Sequence, residues 1–136
     1  MQLLIALGGN ALLKRGEEPT LAEQWKNTAI AARALENVAR NYQLVLTHGN
    51  GPQIGLLARK SEEFDGAEPY TFDVMGAATA GMMGYMIEQE LGNVLGYDVP
   101  VATIITRVEI DPEDPEFTNP SKFVGRGMEF DQANEL

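Results

Sequence analysis

Two glycine clusters, each holding an asparagine, are the residues of this chain best suited to chemistry. Gly8-Gly9-Asn10 follows the apolar run Leu3 to Leu7, and Gly49-Asn50-Gly51 follows the run Gln43 to Thr47 and His48. Glycines leave backbone N–H groups bare, and two such loops at one edge can turn them onto a single phosphate or carboxylate. The asparagines add uncharged donors and acceptors. A lone cluster of this kind also serves as a tight turn; the pair, at matching places, favours ligand binding. Neither cluster runs on into Gly-Lys-Ser/Thr, so neither is a Walker A loop. Gly49 to Gly55 also fits G-x-G-x-x-x-G, so a dinucleotide-binding domain competes. Against it, Pro52 removes a loop donor, and the acid expected about 20 residues on, Asp73, falls at the start of a helix rather than the end of a strand. His48 is set aside as a turn residue, and Lys14 and Arg15 as solvated charges. Asp111, Glu113, Asp114 and Glu116 stand among turn-forming prolines, and no metal site is expected. There is no cysteine, hence no thiolate chemistry.

Positioning these loops falls to the elements on either side. Leu3–Leu7 and Gln43–Thr47 read as strands buried on both faces. Thr20-Leu21-Ala22-Glu23 after Pro19 is a capping box. Leu21, Trp25, Thr28, Ala32, Leu35 and Ala39 then mark one face of a helix to about Asn41. Pro52 can open a helix through Leu57, Ser61 to Pro69 reads as an acidic loop, and a helix rich in small residues spans about Thr71 to Leu91, with Gly92 and Gly96 as breakers. Val101–Ile105 reads as a third strand. The alternation predicts a parallel sheet flanked by helices, with ligands beyond the carboxyl ends of the strands, where both glycine clusters sit. Met75, Met82, Met83 and Met86 read as core or interface filling. The stretch Gly76 to Gly84 is expected to lie close against another element or a second subunit.

At 136 residues, 44% hydrophobic and 22% charged, the chain has the composition of one globular domain. Residues 1–60 hold seven Lys/Arg against four Asp/Glu, and residues 61–136 three against sixteen. That balance lacks the basic stripe that nucleic acid binding requires, so no nucleic acid partner is expected. The apolar runs fall short of the ~20 residues that cross a bilayer, and Met1-Gln2 opens no signal sequence. The expectation is a soluble cytoplasmic protein with no membrane association.

Ala6-Leu7-Gly8-Gly9-Asn10-Ala11-Leu12 and Thr47-His48-Gly49-Asn50-Gly51-Pro52-Gln53-Ile54-Gly55 resemble the two N-terminal signatures of carbamate kinases, in the amino acid kinase family. The resemblance continues through Asp73 to Tyr85, Thr106-Arg107-Val108 and Asn119 to Gly125, and is weaker from Arg126 onward. It implies an α/β fold, a three-layer α/β/α sandwich of the carbamate kinase type with a mainly parallel sheet, here truncated. The implied reaction is phosphoryl transfer from ATP to carbamate, giving ADP and carbamoyl phosphate. Residues 1–136 would then be a single partial domain, the acceptor-binding N-terminal half of the fold. Mg-ATP is the implied cofactor, its binding residues mostly beyond Leu136. The small-molecule substrate would be carbamate or carbamoyl phosphate, held by Gly8, Gly9, Asn10, Gly49, Asn50 and Gly51. Many amino acid kinases carry a lysine just before the first glycine pair; Leu7 stands there, and Lys122 is the implied catalytic cation. A homodimer or a companion chain is the implied assembly. A non-catalytic fragment or interaction remnant is the alternative from a different class. A truncated sheet should also leave an open edge and uncovered helix faces that drive association.

Overall fold

The computed structural model describes residues 1–14, 16–62 and 70–121. Its sheet has two parallel strands, β1 (Gln2–Leu7) and β2 (Gln43–His48), in the register Gln2 opposite Gln43 through Leu7 opposite His48. Parallel strands need a crossover. Here it contains α1 (Gly9–Leu12) and α2 (Leu21–Asn41). The expected cap of α2 forms: Thr20 is extended, and its hydroxyl oxygen accepts the Glu23 N–H at 3.2 Å. After β2 come α3 (Gly51–Glu62), which runs past Leu57, and α4 (Phe72–Leu95). Gly92 does not break α4; the helix ends at Gly96, whose φ of 73° suits glycine alone among common residues. Residues 61 and 62 close α3, and the rest of the expected acidic loop, 63–69, lies outside the described residues.

The core forms where α4 crosses α2. Leu12, Ala32, Leu35, Met83, Met86, Ile87, Leu91 and Leu95 are buried together, with Ile5, Leu7 and Leu46 of the strands against them. Met83 and Met86 are fully enclosed, each burial stabilising by roughly 1.5–3 kcal/mol. Trp25 meets Tyr85 edge to face at 6.2 Å, tying the two helices at their flank. The buried face of α2 is Gln24, Asn27, Thr28, Ala32 and Leu35, whereas Leu21, expected on it, is 58% exposed. The N-terminal part of α2 therefore buries amides rather than aliphatics, because it packs where backbone carbonyls and amide side chains need partners.

Two expectations are corrected. The strands are not buried on both faces: residues alternate, and the outward Leu4 and Val45 are 70% and 41% exposed. The described residues thus supply two of the three sandwich layers. Val101–Ile105 makes no strand ladder among the described residues. Its Thr103 docks on Gly84 of α4 and donates its hydroxyl hydrogen to Glu88 Oε2 at 2.6 Å, and a cavity of about 490 Å³ lies between this segment, α4 and β2. Held on the helix, the segment adds no strand to the sheet beside β2 among the described residues. The expected close approach of the Gly76 to Gly84 stretch is made within the chain: Gly84 accommodates Thr103, and a Cβ on Gly81 would meet Ile105 Cδ1 at 3.5 Å.

Candidate functional site

Because β1 and β2 end in register, the turns that follow them emerge side by side. Gly49 extends the ladder, its N–H donating to the Leu7 carbonyl at 3.1 Å. A Cβ on Gly49 would lie 3.4 Å from the Gly9 nitrogen, and one on Gly9 would lie 3.3 Å from Cδ of Pro52. The two loops are therefore in contact, as expected from their places at the strand ends. Gly9 and Gly49 are glycines because the loops touch.

Gly8 and Gly51 differ. A Cβ on either would meet no atom within 4 Å among the described residues, and neither has a positive φ; Gly8 has φ −65° and ψ 156°, open to any residue. Internal packing and backbone conformation leave their bareness unexplained. Both flank helix starts, where first-turn N–H groups have no partner within the helix. Gly8 caps α1 without a side-chain hydrogen bond, and Gly51 opens α3. The loops thus meet with Gly8 and Gly51 exposed beside them, and the donors left there are main-chain N–H groups. Gly49 contributes closeness there rather than a donor, since its N–H is already paired.

Asn50 is half-buried between the second loop and α4. Its side-chain amide donates to the Gly76 carbonyl and to Thr79 Oγ1, both at 2.9 Å. Thr79, 3% exposed, donates in turn to the Met75 carbonyl at 2.7 Å. Both amide hydrogens of Asn50 are therefore engaged, and its donor role toward a ligand falls away; its carbonyl oxygen remains. Asn10 stands in α1, beside Gly9. Lys122 lies outside the described residues.

Beneath the loops is a layer of buried amides that sequence reasoning missed. Gln53, in the first turn of α3, donates from Nε2 to Gln24 Oε1 at 3.1 Å, and Gln24 donates to the Thr20 carbonyl at 3.3 Å. Asn27 donates to Glu17 Oε2 at 2.6 Å and to the Leu12 carbonyl at 3.5 Å, which ties α2 to the end of α1. Asn27 Oδ1 and Gln53 Oε1 are buried without a partner among the described residues. The available signal was polar residues at the i, i+3, i+4 positions 24, 27 and 28. The carboxyl of Glu17 is held below its ordinary pKa, first by the Lys14 N–H and then by the Asn27 amide. Asp73 is likewise lowered, by the Thr71 side chain and then the Val74 N–H. It stands in the first turn of α4, after the Thr71 cap position, rather than at a strand end, which counts against it as the ribose-binding acid of a dinucleotide site. His48 sits half-buried with Nδ1 3.4 Å from the Gly49 carbonyl oxygen, a local turn contact. Among the described residues, no group of three or more His, Asp or Glu is gathered that could hold a metal ion, and no helix is long and apolar enough to cross a membrane.

No family model matches the chain. Among curated proteins it is 55% identical over all 136 residues to a carbamate kinase of Rhizobium meliloti (strain 1021), covering 42% of that protein. Among solved structures, a Giardia carbamate kinase superposes with a TM-score of 0.84 at 37% identity, over 93% of this chain and 46% of that one. A Giardia lamblia carbamate kinase bound to AMP-PNP matches with a TM-score of 0.79 at 37% identity, over 98% and 44%. The chain spans less than half the length of these relatives. It resembles the N-terminal half of carbamate kinases, and its fold is the α/β arrangement of those structures over the matched part.

Proposed function

We propose that residues 1–136 form the acceptor-binding partial domain of a carbamate kinase-like phosphotransferase, holding carbamate or carbamoyl phosphate at the paired glycine loops. The observation that carries this reading is the unfilled space at Gly8 and Gly51, two glycines that neither packing nor backbone conformation demands. Main-chain N–H groups at the starts of α1 and α3 would receive the phosphoryl oxygens. Phosphoryl transfer passes through a loose transition state, so positioning and charge stabilisation carry the catalysis. In this scheme Gly8, Gly9, Asn10 and Gly51 position the acceptor, Gly49 brings the loops together, Asn50 orients the acyl group, and Lys122 neutralises charge on the transferring phosphoryl. Mg-ATP would supply that phosphoryl, with its binding groups mostly on a companion chain or segment. That a Giardia lamblia relative is bound to AMP-PNP supports nucleotide use.

An amide chemical-shift titration of the chain with inorganic phosphate tests the reading. Shifts at residues 8–10, 49–51 and 122, with a Kd near millimolar, about −4 kcal/mol, are the expected result. Absence of shifts there, or tight ATP binding centred elsewhere, would overturn it. ADP release on adding ATP, magnesium and carbamate separates a catalytic chain from a non-catalytic fragment.

A further inference from the structure

The first turns of α2 bury amides where the rest of its buried face carries Ala32 and Leu35, and those amides reach the helices that follow both glycine loops. A backbone carbonyl only accepts hydrogen bonds, so the Gln24 atom 3.3 Å from the Thr20 carbonyl oxygen is Nε2, and Oε1 is the atom that faces Gln53. Gln53 accordingly presents its Nε2 to that oxygen, at 3.1 Å. About one turn further along α2, Asn27 donates to Glu17 Oε2 at 2.6 Å and, at 3.5 Å, to the Leu12 carbonyl at the end of α1. The start of α3 and the end of α1 are thus both tied to one face of one helix. Pro52, immediately before Gln53, is the residue whose Cδ lies 3.3 Å from where a Cβ on Gly9 would stand. Gln53 therefore anchors the point at which the second loop touches the first.

Stability does not account for this choice of residues. Gln24 and Gln53 are 4% and 2% exposed, and Gln53 Oε1 is buried without a partner among the described residues. A buried acceptor left unpaired is costly, whereas apolar side chains of the same shape in place of both partners are nearly neutral or stabilising. What an amide pair adds is direction: its hydrogen bond fixes both distance and orientation, where aliphatic contacts let one helix slide on another. We infer, building on the acceptor-site reading above, that Gln24 and Gln53 are positioning residues whose buried hydrogen bond sets the start of α3 against the first loop, so that the main-chain donors of both loops face one anion. Neither side chain touches the ligand; both act through Pro52 and the backbone of the second loop.

The test replaces both amides by methionine, of similar length, in the whole chain. Gln24→Met with Gln53→Met removes the hydrogen bond and the unpaired oxygen together, while the Thr20 carbonyl keeps the main-chain N–H of residue 24, at 3.2 Å. The melting temperature is expected to hold or to rise by roughly 2–4 °C. The Kd for inorganic phosphate, read from amide chemical shifts at residues 8–10 and 49–51, should nevertheless weaken about fivefold. The nuclear Overhauser effect between the Gly9 α-protons and the Pro52 δ-protons, read without ligand, should weaken as well. Gln53→Met alone exchanges one unpaired oxygen for another, that of Gln24, and should give the same two losses if the double variant fails to fold. A folded variant that keeps the phosphate affinity or the Gly9–Pro52 effect of the unaltered chain would overturn the inference. A melting temperature that falls in step with affinity would make the pair an ordinary packing contact and overturn it as well. Phosphate leaving both loops of the unaltered chain unshifted would overturn the acceptor-site reading, and the Gly9–Pro52 effect alone would then decide the positioning.

Discussion

Replacing Gly8 by alanine is expected to leave the melting temperature unchanged or slightly raised, because its backbone suits any residue and nothing among the described residues lies within 4 Å of the added methyl. Phosphate affinity should nevertheless fall several-fold, since the methyl would occupy the space left open there. Gly49→Val should do the reverse first: crowding the Gly9 nitrogen at 3.4 Å, it should destabilise the fold by about 1–3 kcal/mol. Thermal melts beside phosphate titrations of both variants check this division. If Gly8→Ala keeps full affinity, the open space belongs to no ligand. Glu17 supplies a pH dependence at the same scale. Its carboxylate accepts the Lys14 N–H at 3.1 Å and the Asn27 amide at 2.6 Å, which lowers its pKa from the ordinary 4.5. The stabilisation is therefore fully present above pH 4.5 and is lost as pH falls through the lower folded value. Glu17→Gln should flatten the acid side of a melting curve against pH, and the Glu17 carboxyl carbon should titrate below 4.5. The meeting of the two glycine loops was legible in the sequence because both clusters directly follow strands of a parallel sheet. Which donors stay free was not, because Gly49 and Asn50 lose theirs to Leu7 and α4, partners set by the tertiary fold.

Helix α4 and the segment 101–105 are coupled by one close approach. A Cβ on Gly84 would press into the Thr103 side chain and lie 3.4 Å from its Cβ. Gly84→Ala should cost about 1–3 kcal/mol even though alanine is the better helix former. Thr103→Ala removes the crowding atoms and the hydrogen bond to Glu88 together, so the double variant should be more stable than the sum of the two single changes allows. Denaturant melts of the four proteins measure that coupling; simple additivity would mean the segment does not rest on Gly84. The capped start of α2, the glycine stop of α4 and both strands were readable because each depends on chemistry within a few residues. The segment 101–105 has the composition of a strand and forms no ladder among the described residues. Strand pairing depends on a neighbour's backbone, and Thr103 is held on α4 instead.

Across the whole molecule, the two-stranded sheet has one face against the helices and one open among the described residues, where Leu4 and Val45 are 70% and 41% exposed. Contiguous apolar surface of this kind drives association. The chain is expected to bind a hydrophobic dye and to sediment with a concentration-dependent size, and Leu4→Lys with Val45→Lys should reduce both effects; a dye-silent monomer would contradict this. The sequence by itself determined the order of β1, α2, β2, α3 and α4, the parallel α/β class and the two glycine loops. Each follows from periodicity, capping and turn chemistry acting over a few residues. Only the tertiary structure decided that Gly9 and Gly49 serve loop contact while Gly8 and Gly51 border open space, and that Asn50 keeps an acceptor and no donor. The reason is that a polar group's availability is whatever its neighbours leave unpaired, and those neighbours, Leu7, Gly76 and Thr79, come from distant parts of the chain.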